Sequence, residues 1–178
     1  RCAIRSATGN IICDVRPEAR ERFAGYFPEA AFPIKPYASI EEACKGADVI
    51  ITLTTADEPL VSEQWCKPGC LVLTMGSFTE IADDIIEKFD RICIDHAGQG
   101  LHRGSFKTFA DRGLITHDSI DAELPDVVAG NRKGRTRGDE RIVCELVGMG
   151  APDVVIAAGV YQEMLASGEA ALTIDMMG

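Results

Sequence analysis

Five places in this sequence put polar residues or glycine directly after a short apolar run. They are Asp14-Val15-Arg16, Thr54-Thr55, Gly76-Ser77, Asp95-His96 and Gly148, which follows Val147. Each residue type suits one part of a nucleotide. A carboxylate such as Asp14, between a strand and a helix, can accept from both hydroxyls of an adenosine ribose and repel a 2′-phosphate, which favours NAD over NADP. Arg16 pulls the other way, because an arginine there can receive that phosphate, and Asp14 can equally serve as a helix N-cap. Thr54 and Thr55 offer hydroxyls and backbone donors to phosphate or ribose, or simply make a turn. Gly76 lets a flat ring approach the backbone closely. His96 and His102 are candidate proton-transfer groups, because histidine as a residue type suits that work near neutrality, although a surface position explains either one.

These residues matter only if the chain brings them to one edge. Asn10–Asp14 (NIICD), Asp48–Thr54 (DVIITLT), Cys70–Met75 (CLVLTM), Arg91–Asp95 (RICID) and Ile142–Val147 (IVCELV) read as strands, and Pro33–Tyr37 as a weaker extended piece. Pro17–Tyr26, Ile81–Phe89, His102–Arg112 and Ile120–Ala129 read as helices. Ser39, with Glu42 three residues on, opens another that ends near Gly46. Val155, Ala158, Val160, Tyr161, Met164 and Leu165 recur at helical spacing from Pro152 to Ala166. Asp48–Thr54 has no polar alternation until its end, which predicts burial on both faces. The alternation of strands and helices predicts an α/β fold with a doubly wound parallel sheet of the Rossmann type. In such a sheet ligands bind beyond the carboxyl ends of the strands. No G-x-G-x-x-G loop is present; Gly98 and Gly100 are followed by Arg103. Cys2–Ala7 reads as the tail of a first helix, so the first strand and its glycine loop are expected upstream of Arg1.

Composition narrows the function classes. The chain has 178 residues and a formal net charge of −10, which argues against a nucleic-acid partner and makes the basic stretch Arg132–Arg137 a solvated loop. No run of about 18 apolar residues exists to span a membrane, and no signal-peptide pattern opens the chain. The cysteines are Cys2, Cys13, Cys44, Cys66, Cys70, Cys93 and Cys144. Their odd number and the absence of a C-x-x-C pair predict reduced thiols in a cytoplasmic protein, with Cys13, Cys93 and Cys144 buried in strands. Cys66 and Cys70 flank a Pro-Gly turn without a nearby histidine, a poor zinc set.

In order along the chain, DVRPEARERFA (Asp14–Ala24), ACKGADVIITLTTADEP (Ala43–Pro59), WCKPG (Trp65–Gly69), DAELPDVVAG (Asp121–Gly130), GRTRGDE (Gly134–Glu140) and GMGAPDVVIAAGVY (Gly148–Tyr161) resemble the ornithine cyclodeaminase and mu-crystallin family. The resemblance implies an NAD(P)-binding domain, here residues 1–150. The helix and tail over 151–178 would pack toward a dimerisation and substrate domain built mainly from sequence this chain lacks. It implies a homodimer and hydride transfer at the amino-bearing carbon of a small amino acid, by a cyclodeaminase or an amino-acid dehydrogenase. A cyclic ketimine reductase, or a non-catalytic NAD(P)-dependent binder like mu-crystallin, are the alternatives. Asp14, Arg16, Thr54, Thr55, Gly76, Ser77, Val147 and Gly148 are the implied cofactor contacts. Asp118 matches the family's catalytic aspartate, which orients the substrate amine and water; as a residue it also reads as the N-cap of a helix at Ile120. The sequence departs from the family in a shorter loop after Ser77, in Glu145 for a frequent lysine, in Leu146 for serine or asparagine, and in Pro152 for an acid. His102–Gly104 (HRG) resembles a subgroup in which that segment lies near the active cleft.

Overall fold

β-Branched runs become short strands and the segments between them become helices in the computed structural model, which describes residues 9–30 and 32–168. In chain order these are β1 (Asn10–Cys13), α1 (Pro17–Gly25), β2 (Ile34–Tyr37), α2 (Ile40–Cys44), β3 (Val49–Thr52), β4 (Leu71–Thr74), α3 (Asp83–Lys88), β5 (Arg91–Ile94), α4 (Ala97–Gly100), α5 (Ser105–Asp111), β6 (Ala122–Glu123), α6 (Leu124–Ala129), β7 (Ile142–Glu145) and α7 (Gly150–Ser167). Ser39 caps α2, its hydroxyl accepting the Glu42 amide at 3.3 Å. The expected helical tail at Cys2–Ala7 lies outside the described residues. Two compact units divide the chain between Val147 and Gly148, the second holding α7.

All strand pairing among the described residues is parallel. β1 pairs with β2, and five strands run in the order β3-β4-β7-β5-β6, so β7, the last described strand in sequence, is the central one. Among the described residues β1 and β3 each keep one edge without a strand partner. Ile50, Val72, Val143 and Ile92 face one side and join Ile81, Ile85, Phe106, Phe109 and Ile115 in the larger core. Cys93, Ala122, Ile142 and Cys144 form a smaller core on the other side. Each buried large apolar side chain there contributes about 1.5–3 kcal/mol.

Three expectations change. β3 is buried on one face only: Ile50 and Thr52 are buried, while Val49 and Ile51 are 49% and 55% exposed because no described element covers that side. His102–Arg112 is not one helix. Gly104 takes φ +82°, a left-handed value that stops a helix, so α5 begins at Ser105 and the short α4 precedes it. Ile120–Ala129 opens as β6 instead of a helix, because Pro125 lacks an amide hydrogen and fits only the first turn of α6. The cysteines follow expectation more closely. All six described ones are free thiols; Cys93 and Cys144 are buried in strands and Cys13 is half-buried.

The basic loop is held rather than merely solvated. Arg135 donates to Gly69 O at 3.0 Å and to Glu140 O, and Arg137 pairs with Asp90 at 3.2 Å. Buried Glu140 accepts the hydroxyl of Thr136 and, at 2.6 Å, its amide. The hydroxyl first and then the amide pull the Glu140 carboxyl down to about 2. A depressed carboxyl stabilises the fold above its ordinary range near 4.5, and that stabilisation drains as the pH falls toward 2. Thr136→Ala is therefore expected to lower the melting temperature by a few degrees at pH 7 and hardly at all near pH 2.5. Equal losses at both pH values in thermal melts would disprove this role for the pair.

Candidate functional site

The carboxyl ends of β3, β4, β7 and β5 lie along one edge of the sheet, and two buried glutamates organise what stands there. Glu80 is fully buried. Its Oε1 accepts the Thr54 amide at 2.6 Å and the Thr54 hydroxyl at 2.8 Å; its Oε2 accepts the Thr52 hydroxyl at 2.7 Å and the Gly76 amide at 3.1 Å. One carboxylate thus ties the loops after β3 and β4 together. Its backbone carbonyl also receives the Leu60 and Val61 amides, at 3.0 and 3.2 Å. The hydroxyl and amide of Thr54, expected to point at phosphate or ribose, are spent on Glu80. Gly76 has a second reason to be glycine: a Cβ there would lie 2.7 Å from the Glu80 carboxyl. Thr55 and Ser77 remain exposed at this edge.

Ser77, His102, Arg103, Gly104, Lys107, Thr108 and Val147 line an open cavity of about 500 Å³. The shortened loop after Ser77 is pinned to α5, since Ser105 Oγ donates to Phe78 O at 2.5 Å and the Thr79 and Thr108 hydroxyls stand 3.1 Å apart. Arg103 donates to Val147 O at 2.9 Å, which ties the HRG turn to the end of β7.

Glu145 lies beneath this mouth, fully buried at the end of β7. Its Oε1 accepts the Phe106 amide at 2.7 Å. Among the described residues its Oε2 has no hydrogen-bond partner, and neither has Oγ1 of Thr74, its register partner on β4. A Cβ on Gly104 would come within 2.4 Å of Oε1, and one on Gly100 within 2.9 Å of Oε2. Two glycines therefore roof this side chain. Burial pushes the Glu145 carboxyl up to about 8, against the opposing Phe106 amide and with the help of nearby Asp95.

Asp14 directly follows β1, away from this mouth in sequence. Its Oδ1 accepts the Arg16 amide at 2.8 Å and Arg16 Nε at 3.4 Å. The Arg16 amide is the main cause that holds the carboxyl below its usual range. The residue at the N-cap position of α1 is Arg16, so Asp14 is not the helix cap it could have been. Oδ2 makes no hydrogen bond within the described residues.

The remaining candidates fall apart in space. Asp118 is exposed in a 3₁₀ turn leading into β6, on the amino-terminal side of that strand, whereas the cavity lies at the strands' carboxyl ends. It caps no α-helix; the turn is closed by Thr116 and Ser119. His96 is exposed at the start of α4, its amide bonded to Asp95 Oδ1 at 2.7 Å. Gly148 takes φ +91° with open space where a side chain would stand. Glu80 escaped notice in the sequence because it follows a threonine in an ordinary loop. Its signal was the distance of four residues from Gly76, a glycine just beyond the end of β4.

The matches to known proteins agree with one another. The profile of the ornithine cyclodeaminase/mu-crystallin family matches residues 4–168. An uncharacterized cyclodeaminase of Sinorhizobium fredii is 31% identical over 138 residues, 75% of this chain and 42% of that protein. The structure of Thermococcus litoralis Δ1-pyrroline-2-carboxylate reductase with NADH and L-proline superposes with a TM-score of 0.85 at 26% identity, covering 93% of this chain and 53% of that one. An archaeal alanine dehydrogenase dimer with bound NAD also gives 0.85, at 25% identity over 95% of this chain and 53% of its own. The chain spans about half the length of the curated relatives it matches.

Proposed function

This chain belongs to the ornithine cyclodeaminase/mu-crystallin family, and on that footing we propose that the whole protein is an NAD-dependent enzyme acting at the amino-bearing or imine carbon of a small amino acid. The observation that carries this reading is the continuous family match together with relatives crystallised with NAD or NADH. The residues present fit the cofactor. Asp14 keeps one carboxylate oxygen open for a ribose hydroxyl, and Arg16 is turned onto Asp14 rather than toward a 2′-phosphate, which favours NAD over NADP.

NAD, when bound, supplies the hydride acceptor, and NADH the donor. The chain's own residues position and protonate. Glu80 sets the spacing of the Thr54 and Gly76 loops. Ser77 and Thr108 present hydroxyls to the cavity, and the His102 imidazole there can give or take the proton of the substrate nitrogen. Asp118, which the resemblance makes the proton-handling group, stands on the other side of its strand, so His102 is the better-placed group for that work.

We propose further that an upstream segment supplies the first strand, the glycine loop and the substrate and dimerisation domain. The half-length coverage and the open edges of β1 and β3, which leave room for one more parallel strand, support this. The alanine dehydrogenase dimer supports a homodimer.

The test is NADH oxidation by the full-length protein with imines of small keto acids and cyclic ketimines, and NADH formation with amino acids. No turnover with any of them, alongside tight cofactor binding, would favour the non-catalytic binder. Asp14→Asn is expected to weaken NADH binding, read by fluorescence titration, about 10–100-fold, the worth of a charged hydrogen bond. An unchanged Kd would remove Asp14 from the ribose.

A further inference from the structure

Glu145 is the last residue of β7, the central strand, and is fully buried. The floor above it is one glycine thick. Gly104 and Val147 line the cavity, and a Cβ on Gly104 would collide with Glu145 Oε1 and stand 3.0 Å from a Val147 methyl. Glu80, the other buried glutamate of this edge, spends both oxygens on four donors. Glu145 does not. Among the described residues its Oε2 and the Thr74 hydroxyl beside it on β4 have no hydrogen-bond partner. A buried carboxyl left half unpaired beneath a cleft is the mark of a group whose charge changes in use. The elements packed around it set its balance. Asp95, just after β5, adds negative charge, and neither β4 nor α4 carries any. His102 and Arg103 before α5, and Lys107 on it, stand at the mouth above. Burial comes first among the causes, and the carboxyl keeps its proton near neutrality. With the adenosine ribose at Asp14 after β1, a dinucleotide laid along the carboxyl edge brings its nicotinamide half over β4 and β7. That ring is cationic in NAD and neutral in NADH. A cation within about 4–6 Å loosens the proton of a carboxyl about tenfold or more.

We propose that Glu145 is a proton-linked counter-charge for the oxidised cofactor: it gives its proton to solvent when NAD binds and keeps it when NADH binds. The inference rests on the proposed NAD-dependent function. Once the ring is neutral again, the Glu145 carboxylate takes a proton back from solvent. The summed charge of ring and carboxyl is then the same with either form of the cofactor.

The test uses the full-length protein and reads binding, not turnover. Calorimetric titration with NAD at pH 7.5, repeated in buffers of different ionisation enthalpy, is expected to show release of about half a proton or more per site, and titration with NADH hardly any. NAD should bind about tenfold more tightly at pH 9 than at pH 6, while NADH binding stays level. Glu145→Gln should abolish the release and level the NAD profile, with NADH binding changed less than about threefold. Infrared difference spectra of the unaltered protein should show a protonated-carboxyl band that is lost on adding NAD and kept on adding NADH; this readout needs no variant. NAD binding without proton release and without loss of that band overturns the proposal and leaves the NAD-dependent reading standing. Release that persists in Glu145→Gln, or that NADH matches, assigns the proton to another group and overturns it as well. Failure of both dinucleotides to bind at millimolar concentration sinks the NAD-dependent reading, and this inference with it.

Discussion

Glu80→Leu is expected to destabilise the protein by about 3–5 kcal/mol, the largest effect of any single change at the candidate site. The leucine would leave the Thr52 hydroxyl, the Thr54 hydroxyl and amide, and the Gly76 amide without their shared acceptor. Each buried donor left unpaired costs about 1–3 kcal/mol, and the two hydroxyls recover part of that by rotating toward other acceptors. Thr52 already stands 3.4 Å from the Leu73 carbonyl and has such an alternative. Glu80→Gln should cost about half as much, because an amide keeps one acceptor oxygen but sets an NH₂ against a donor that Glu80 now receives. Urea titration of the protein and its variants measures both. A Glu80→Leu protein within about 1 kcal/mol of the parent would show that the four bonds are not holding these loops. The same variants should weaken NADH binding, since the loops after β3 and β4 lose their common anchor.

Glu145→Gln is expected to do the opposite at alkaline pH and stabilise the protein. Burial, with some help from Asp95, raises the Glu145 carboxyl to about 8. A raised carboxyl binds its proton more tightly in the folded chain than in the unfolded one. Its contribution is therefore complete below the unfolded value near 4.5 and is lost progressively as the pH rises through about 8. The loss is on the order of a few kcal/mol. Glutamine copies the protonated form: its oxygen can accept from Phe106 and its NH₂ replaces the acid hydroxyl. Parent and variant should match near pH 5, and the variant should melt several degrees higher at pH 8.5. Parallel pH–stability curves would show that Glu145 does not titrate in this window. Together with Glu140, which loses its contribution toward pH 2, Glu145 predicts a stability maximum on the acid side of neutrality.

The sequence reading fared best where a local rule decides the outcome. The strand at Arg91–Ile94 and the start of α1 at Pro17 follow from β-branching and from proline's first-turn preference. It fared worse where a distant contact decides. That Val49 and Ile51 stay half exposed depends on what covers the far side of β3, which the run of apolar residues does not encode. Asp14 and the residues after each strand could be singled out because a parallel sheet gathers its strand ends. Thr54 and Gly76 were placed at the right edge, but their partner Glu80 was missed, since pairing a glutamate with loops from two other strands is a tertiary event. Glu145 was visible only as a departure from family habit, and its protonated state follows from burial that no single stretch reveals. Pro125 could have moved the start of α6 to its observed place, had its missing amide been set against the apolar spacing.

The place of β7 has a consequence for how the molecule comes to be. It lies between β4 and β5, with Leu71 paired to Ile142 and Arg91 to that same residue, yet it is the last of the described strands in sequence. While the chain emerges from the ribosome, β4 and β5 have no central ladder to join, and each holds an open row of amides and carbonyls beside apolar side chains. The sheet can close only when residues 142–145 are free of the exit tunnel, so β4 and β5 must wait until the segment that follows them has been made. Pairings so far apart in sequence also make closure slow and leave a vulnerable interval in which nascent copies can pair with one another. A chain interrupted just before Ile142 would lose the strand that joins the two halves of its sheet, not a dispensable tail.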